Sequence, residues 1–249
     1  GHPYLSVPAA MRAGVLSGFI VAFLQTRMGI NSLLAGIIVN TAMYSVNMAV
    51  MGNKAQLNLN RSDTVFTKMK DLLANTPFAG QYKLITVLTF TVAAVILLSL
   101  FLRTRLGLAI RATGDNPDMV KSSSINPAFT ITVGLCVANA LTALSGCLFV
   151  QAQKSVDINI GSGMVTIALA SLLIGGTFLG RGSIPLRAVG CVLGSVIFRL
   201  VYTLALRLKM PASMLKLVSS VIVIIAIFVP YLKAQYPTLR RRLLRKKSM

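Results

Sequence analysis

The sequence predicts an all-α, polytopic helical membrane protein with about seven spans, and three observations carry that reading. Apolar residues make up 55% of the 249, and mean hydropathy is +0.76. They gather in continuous runs of about 20 residues, the length that crosses a hydrocarbon core of about 30 Å. The runs lack the period-two alternation of a membrane β-barrel. Finally, 25 Lys and Arg stand against five acids, all Asp. The basic residues lie mostly between the runs and at the C-terminus, the positive-inside pattern. A soluble chain of net charge +20 would point to nucleic acid. This distribution argues against that partner. One transmembrane domain over residues 1–249 is expected.

The first span covers Leu5 to Gln25. It holds Gly14-Val-Leu-Ser-Gly18, a spacing that lets a second helix approach closely. Arg12 lies near one end and can snorkel to the interface. After a turn at residues 26–31, Ser32 to Val50 forms the second span. Its Asn40, Tyr44 and Asn47 fall at i, i+4 and i+7, on one helical face. Such a stripe in a membrane helix either lines a solute path or hydrogen-bonds to neighbouring helices. Met51 to Lys83 is the longest polar segment, with a short amphipathic helix expected over Thr64 to Ala74. Leu84 to Leu102 is the third span, and Arg103 and Arg105 mark its end.

The fourth span, Ala128 to Val150, carries Asn139, Thr142, Ser145 and Gly146, read as a second polar group on the path. Ala138, Thr142 and Gly146, spaced by four, suit close packing. A loop over Gln151 to Gly163 follows. Met164 to Leu179 is short and interrupted by Gly175-Gly176. It is either a discontinuous helix beside a path or a plain span with a glycine-rich end. Ala188 to Leu206 holds Gly190-Cys-Val-Leu-Gly194 and a mid-span Arg199, which must reach water, a carbonyl or a partner. Met214 to Leu232 is the last span, and 233–249 is a basic tail. Cys136, Cys147 and Cys191 lie in apolar spans without metal-ligand spacing and read as small packing residues.

The tail is expected on the cytoplasmic side. Counting back puts residues 181–187 and 103–127 inside, and the loops around Asp157 and over 51–83 outside. Gly1 then falls outside, so one or more further spans are expected upstream of it. Arg207 and Lys209 weigh slightly against this orientation.

The chemistry of catalysis and energy conversion is missing from the spans. The sequence has no phosphate-binding G-x-x-x-x-G-K-[ST] loop, no H-E-x-x-H and no Glu. All five Asp, at 63, 71, 115, 118 and 157, lie in polar segments, whereas a proton-driven carrier usually buries an acid within a span. Uphill transport would take its energy from a partner.

Between the third and fourth spans lies a polar island, Arg111-Ala-Thr-Gly-Asp-Asn-Pro117 through Asp118-Met-Val-Lys121 to Ile125-Asn126-Pro127. Asn116-Pro117 reads as a helix start, with Asn at the N-cap and Pro at the first helical position. Asp118 suits the first turn. Asn126-Pro127 repeats the signal at the next span. The island is a short helix between spans or an ordinary positively charged inside loop.

Arg111-Ala-Thr-Gly-Asp-Asn-Pro117 with Ser124-Ile-Asn126 resembles the R-A-x-G-x-N-P…G-I-N loop of bacterial ABC importer permeases of the branched-chain amino acid type. That family also includes permeases for sugars, nucleosides and vitamins. Gly175-Gly176…Gly182-Ser-Ile-Pro185 is similar to its G-G…G-S-I-P-G segment. The resemblance runs from about Ala9 to Leu232 and is nearest to a less characterised branch linked to amino acid uptake. Two positions depart from it: Ser124 and Leu186 stand where the family often has Gly.

The resemblance implies a multi-pass, non-catalytic subunit of the bacterial inner membrane. Two cytoplasmic ABC ATPases, which bind the ATP, would dock beneath two copies of this permease or this permease and a related one. An extracytoplasmic binding protein would deliver a small polar solute, an amino acid fitting best. Neither a metal nor a cofactor is implied. The island would be the coupling helix, with Arg111, Gly114, Asp115, Asn116, Pro117, Asp118 and Lys121 at the ATPase. Asn40, Tyr44, Asn47, Asn139, Thr142 and Ser145 remain the path candidates. The alternatives are a channel or secondary carrier without an ATPase, or a scaffold subunit whose tail binds anionic lipid.

Overall fold

A computed structural model describes residues 3–59, 63–74, 79–161, 164–179 and 182–207, with single positions at 217, 220, 221, 224 and 228. The expected last span and the tail fall largely outside these residues, as does Arg181. The described helices are α1 (Pro3–Thr26), α2 (Ser32–Val50), α3 (Val65–Leu72), α4 (Tyr82–Arg103), α5 (Arg105–Asp115), α6 (Pro117–Ser122), α7 (Pro127–Gln153), α8 (Met164–Leu179) and α9 (Ile184–Arg207). Five of them are long and apolar enough to cross a membrane: α1, α2, α4, α7 and α9, with α8 a shorter apolar helix. The chain is thus a polytopic helical membrane protein.

The chain divides into two compact units, Gly1–Ile160 and Gly161–Met249. In the first, α1 and α7 form the main helix pair, lying antiparallel. A Cβ on Gly14 would come 2.5 Å from the Asn139 carbonyl oxygen and 2.7 Å from the Ala143 Cβ. One on Gly18 would come 2.7 Å from the Leu135 carbonyl oxygen. The two glycines are the reason these backbones can meet. In a membrane, that close approach supplies the dispersion contact that burial supplies in water. The small-residue series Ala138, Thr142, Gly146 faces the other way. All three are exposed, and a Cβ on Gly146 would meet nothing within 4 Å. The packing face of α7 is instead Cys136, Asn139, Ala140 and Ala143.

At the far end of α7, a small polar cap closes the unit. Two three-residue strands, β1 (Gln56–Asn58) and β2 (Ser155–Asp157), pair antiparallel with Leu57 opposite Val156. Residues read as plain loop thus satisfy their backbone groups against each other. The expected amphipathic helix is α3, whose N-cap Thr64 accepts from the Thr67 N–H at 3.2 Å. Val65 and Phe66 are its buried residues. Gln151 joins these pieces: its Oε1 accepts from the Val65 N–H at 2.9 Å, and its Nε2 donates to Ser6 Oγ at 3.0 Å. One amide side chain therefore links α7 to the starts of α3 and α1.

In the second unit, α8 and α9 pack as a pair on Gly175, Gly190 and Gly194. A Cβ on Gly175 would collide with the Gly190 backbone, and one on Gly194 with the Ser171 carbonyl oxygen. α8 runs unbroken through Gly175-Gly176. Gly175 is there for close packing, so among the described residues α8 is a continuous, short apolar helix rather than a discontinuous one. Leu186, the departure from the family pattern, lies over Gly182, where a Cβ would strike its side chain.

Candidate functional site

The island is a pair of helices rather than one. Thr104 ends α4 in extended backbone and caps α5, its Oγ1 accepting from the Gly107 N–H at 3.2 Å. A Cβ on Gly107 would strike the Phe101 carbonyl oxygen and the Leu102 backbone, so only glycine lets α5 fold back this tightly against the end of α4. Gly107, Ile110 and Thr113 recur at three-residue spacing and supply the inward face. Gly107 and Thr113 are buried, and Ile110 reaches Gly134 of α7. This periodicity was the available signal for a helix that the two Asn-Pro starts do not announce.

Asn116 then breaks the helix and caps the next. Its extended backbone ends α5, and its Oδ1 accepts from the N–H groups of Asp118 and Met119, both at 3.1 Å. Pro117 takes the first helical position and Asp118 the first turn, as the sequence predicts. Asp118 and Lys121 form an exposed pair at 3.8 Å, which contributes little to stability. Val120 is 3% exposed and pins α6 inward.

The C-terminus of α6 explains the first departure from the family pattern. Ser124 sits at φ +61°, in the left-handed region. The Ile125 N–H donates to the Val120 carbonyl at 3.3 Å, and the Ser124 N–H to that of Lys121 at 3.1 Å. This is a Schellman ending with serine at the position glycine usually takes. Asn126 caps α7, accepting from the Ala128 N–H at 3.0 Å. The Thr113 and Thr130 hydroxyls meet at 2.8 Å in a buried contact that joins α5 to the first turn of α7.

The result is an exposed surface on a buried footing. Arg111, Gly114, Asp115, Asn116, Pro117, Asp118 and Lys121 are all exposed and lie together on α5 and α6. Thr113 and Val120 anchor them below. The surface lies at the α7 end opposite Gln151, about 40 Å away along 27 residues.

The path candidates are not brought together. Asn40, Tyr44 and Asn47 are exposed on α2, with Tyr44 at 46%. α2 buries Ala35 and Val39, and the polar stripe lies roughly 80–140° around from Val39. On α7, Thr142 and Ser145 are exposed on the side away from α1. Asn139 is not with them. It packs against Gly14 and Gly18 of α1, and its Nδ2 donates to the Leu135 carbonyl at 3.0 Å. Among the described residues no hydrogen bond joins the α2 group to the α7 group. Sequence reading missed α5, the Thr113–Thr130 contact and the Gln151 junction. The last two are pairings over 17 and 86 or more residues that no local pattern encodes.

Comparison with known proteins agrees with this architecture. The family model for the branched-chain amino acid transport system, permease component, matches residues 1–227. A tyrosine transport system permease protein of Clostridioides difficile is 31% identical over 223 residues, covering 89% of this chain and 71% of the relative. The nucleoside ABC transporter permease protein NupB of Lactococcus lactis is 25% identical, covering 83% of this chain and 65% of the relative. The fructose import permease protein FrcC of Rhizobium meliloti is 28% identical, covering 83% and 56%. No solved structure matches. With the family model spanning nearly the whole sequence and five membrane-length helices among the described residues, the chain belongs to the ABC importer permeases of the branched-chain amino acid type, multi-pass proteins of the bacterial inner membrane.

Proposed function

We propose that this permease is the non-catalytic, path-forming subunit of an ATP-driven importer of an amino acid, and that α5 and α6 are where its ATPase engages. The observation that carries the reading is the exposed, doubly capped α6 held on a buried footing by Val120 and by the Thr113–Thr130 contact. An element that transmits force needs a free outer face and a stiff connection to what it moves, and both are present. The permease family uses ATPase and binding-protein partners in general. Here two cytoplasmic ATPases, a second permease and an extracytoplasmic binding protein complete the importer, and this chain itself holds no nucleotide.

The amino acid assignment is supported by the tyrosine-named relative, which is more similar than those named for nucleoside and fructose. The polar residues exposed on α2 and α7 carry amide, phenol and hydroxyl groups, which suit a small zwitterion. The test is co-purification. An ATP-binding subunit that purifies with the intact chain and is lost when Asp115–Pro117 is replaced by Gly-Ser-Gly supports the coupling assignment. An unchanged complex after that replacement sinks it.

A further inference from the structure

The second unit contains a polar stripe that the coupling segment and the path candidates leave unused. α9 turns Gly194 and Phe198 inward, and both are buried. Ser195, Arg199 and Thr203 follow one another at i, i+4 and i+8, and all three are exposed. The stripe lies roughly 80–160° around from the Gly194–Phe198 line.

Depth separates Arg199 from a snorkelling arginine. It stands eight residues, about 12 Å, from Arg207, the last described residue of α9, and about 22 Å from Ile184. A helical side chain leans toward the N-terminus of its own helix. That lean carries the Arg199 guanidinium away from Arg207 and into the hydrocarbon depth. Arg12 in α1 shows the contrary case, since its lean is toward its nearer end at Pro3.

A guanidinium left in lipid at the centre of a span costs about 3 kcal/mol even on insertion scales. None of the five Asp falls within a membrane-length helix: Asp63 precedes α3, Asp71 is in α3, Asp115 ends α5, Asp118 is in α6 and Asp157 is in β2. Thr203 Oγ1 donates its proton to the Arg199 carbonyl at 2.8 Å, as Thr41 and Thr89 do to their own i−4 carbonyls, which leaves its oxygen free to accept. A fixed cation beside an acceptor matches a carboxylate beside an ammonium group.

Resting on the permease reading above, we propose that Ser195, Arg199 and Thr203 form a station on a water-filled path, where Arg199 takes the carboxylate of a zwitterionic solute. A sugar or nucleoside offers no such group. The station therefore selects among the substrate classes that the family carries.

The experiment uses the full transporter in vesicles, with Cys136, Cys147 and Cys191 changed to Ser and either Ser195→Cys or Thr203→Cys introduced. The probes are two membrane-impermeant methanethiosulfonates, one bearing a sulfonate and one a trimethylammonium. Each rate is normalised to that of a free thiol. Both reagents are expected to label, with the sulfonate favoured about tenfold by the local field. Arg199→Gln is expected to abolish the preference and Arg199→Lys to keep it. Failure of both reagents to label would place the stripe against lipid or packed protein, with the guanidinium on a headgroup phosphate or a partner's carboxylate. That outcome overturns the proposal, as do equal normalised rates with Arg199 in place. If the Arg199 variants do not assemble, the ratio in the Arg199 background still decides. Co-purification of the ATPase is scored on the same samples. Its loss with the intact coupling segment counts against the permease assembly, whereas absent anion preference in an assembled complex counts against the station alone.

Discussion

The hydroxyls of Thr113 and Thr130 lie 2.8 Å apart across the α5–α7 contact. Each is also placed against a carbonyl of its own helix, Thr113 on Ala109 at 2.8 Å and Thr130 on Pro127 at 2.9 Å. Two hydroxyl protons are available for three contacts, so the three are not all full hydrogen bonds at once. Thr113→Val keeps the shape and leaves the Thr130 proton its carbonyl. The expected loss is about 1 kcal/mol, one net hydrogen bond. Thermal unfolding of the purified protein measures it. Under the coupling reading, the variant should also hydrolyse more ATP per solute moved. An unchanged ratio would confine the contact to stability.

Ser124 is the next point of leverage. A left-handed serine carries about 1 kcal/mol of strain that glycine avoids, partly offset by glycine's greater freedom when unfolded. Ser124→Gly is expected to match or slightly exceed the parent in thermal stability. Ser124→Val, β-branched at φ +61°, is expected to fall by more than 1 kcal/mol. A stable valine variant would show that the α6 ending relaxes to another conformation.

Identical chemistry should give opposite signs at two glycines. Gly14→Ala drives a methyl into the Asn139 carbonyl and is expected to cost about 1–3 kcal/mol by overpacking. Gly146→Ala enters open space and is expected to be neutral or to gain up to about 1 kcal/mol from helix propensity. Detergent-resistance or thermal-shift measurements on the two variants decide, and equal effects would contradict the α1–α7 packing.

The path candidates divide into two predicted behaviours. Asn40→Ala and Tyr44→Ala remove exposed groups, so uptake is expected to fall while the ATPase still co-purifies. Asn139→Ala removes a group packed between α1 and α7, so stability is expected to fall first. Transport assays paired with thermal shifts separate the two. Full uptake in the α2 variants would assign that stripe to contacts with another subunit.

What was legible in the sequence was whatever short-range pattern controls. Apolar runs gave the spans, Asn116-Pro117 and Asn126-Pro127 gave two helix starts, and Gly14-x-x-x-Gly18 gave a packing face. Which face of α7 meets α1 was not legible. The series Ala138, Thr142, Gly146 and the observed face through Asn139 and Ala143 are both rich in small residues, and only the partner helix chooses between them. α5 is hard to read because its inward face is built from Gly107, Ile110 and Thr113: the three-residue spacing is present, but the residues are too small and mixed to stand out as an apolar stripe. Gln151 looked like the first residue of a loop. Its role depends on Val65 and Ser6, which arrive from distant parts of the chain.

α7 holds Thr130 near one end and Gln151 near the other, with no proline between them. A helix with no proline break carries a tilt along its length. A tilt of about 5° over about 40 Å swings the far tip by about 3 Å, the length of a hydrogen bond. Gln151 holds Val65 and Ser6 by single bonds of that length. Under the coupling reading, a small pivot at the Thr130 end would reach Gln151 as a displacement comparable to the bonds that hold the cap.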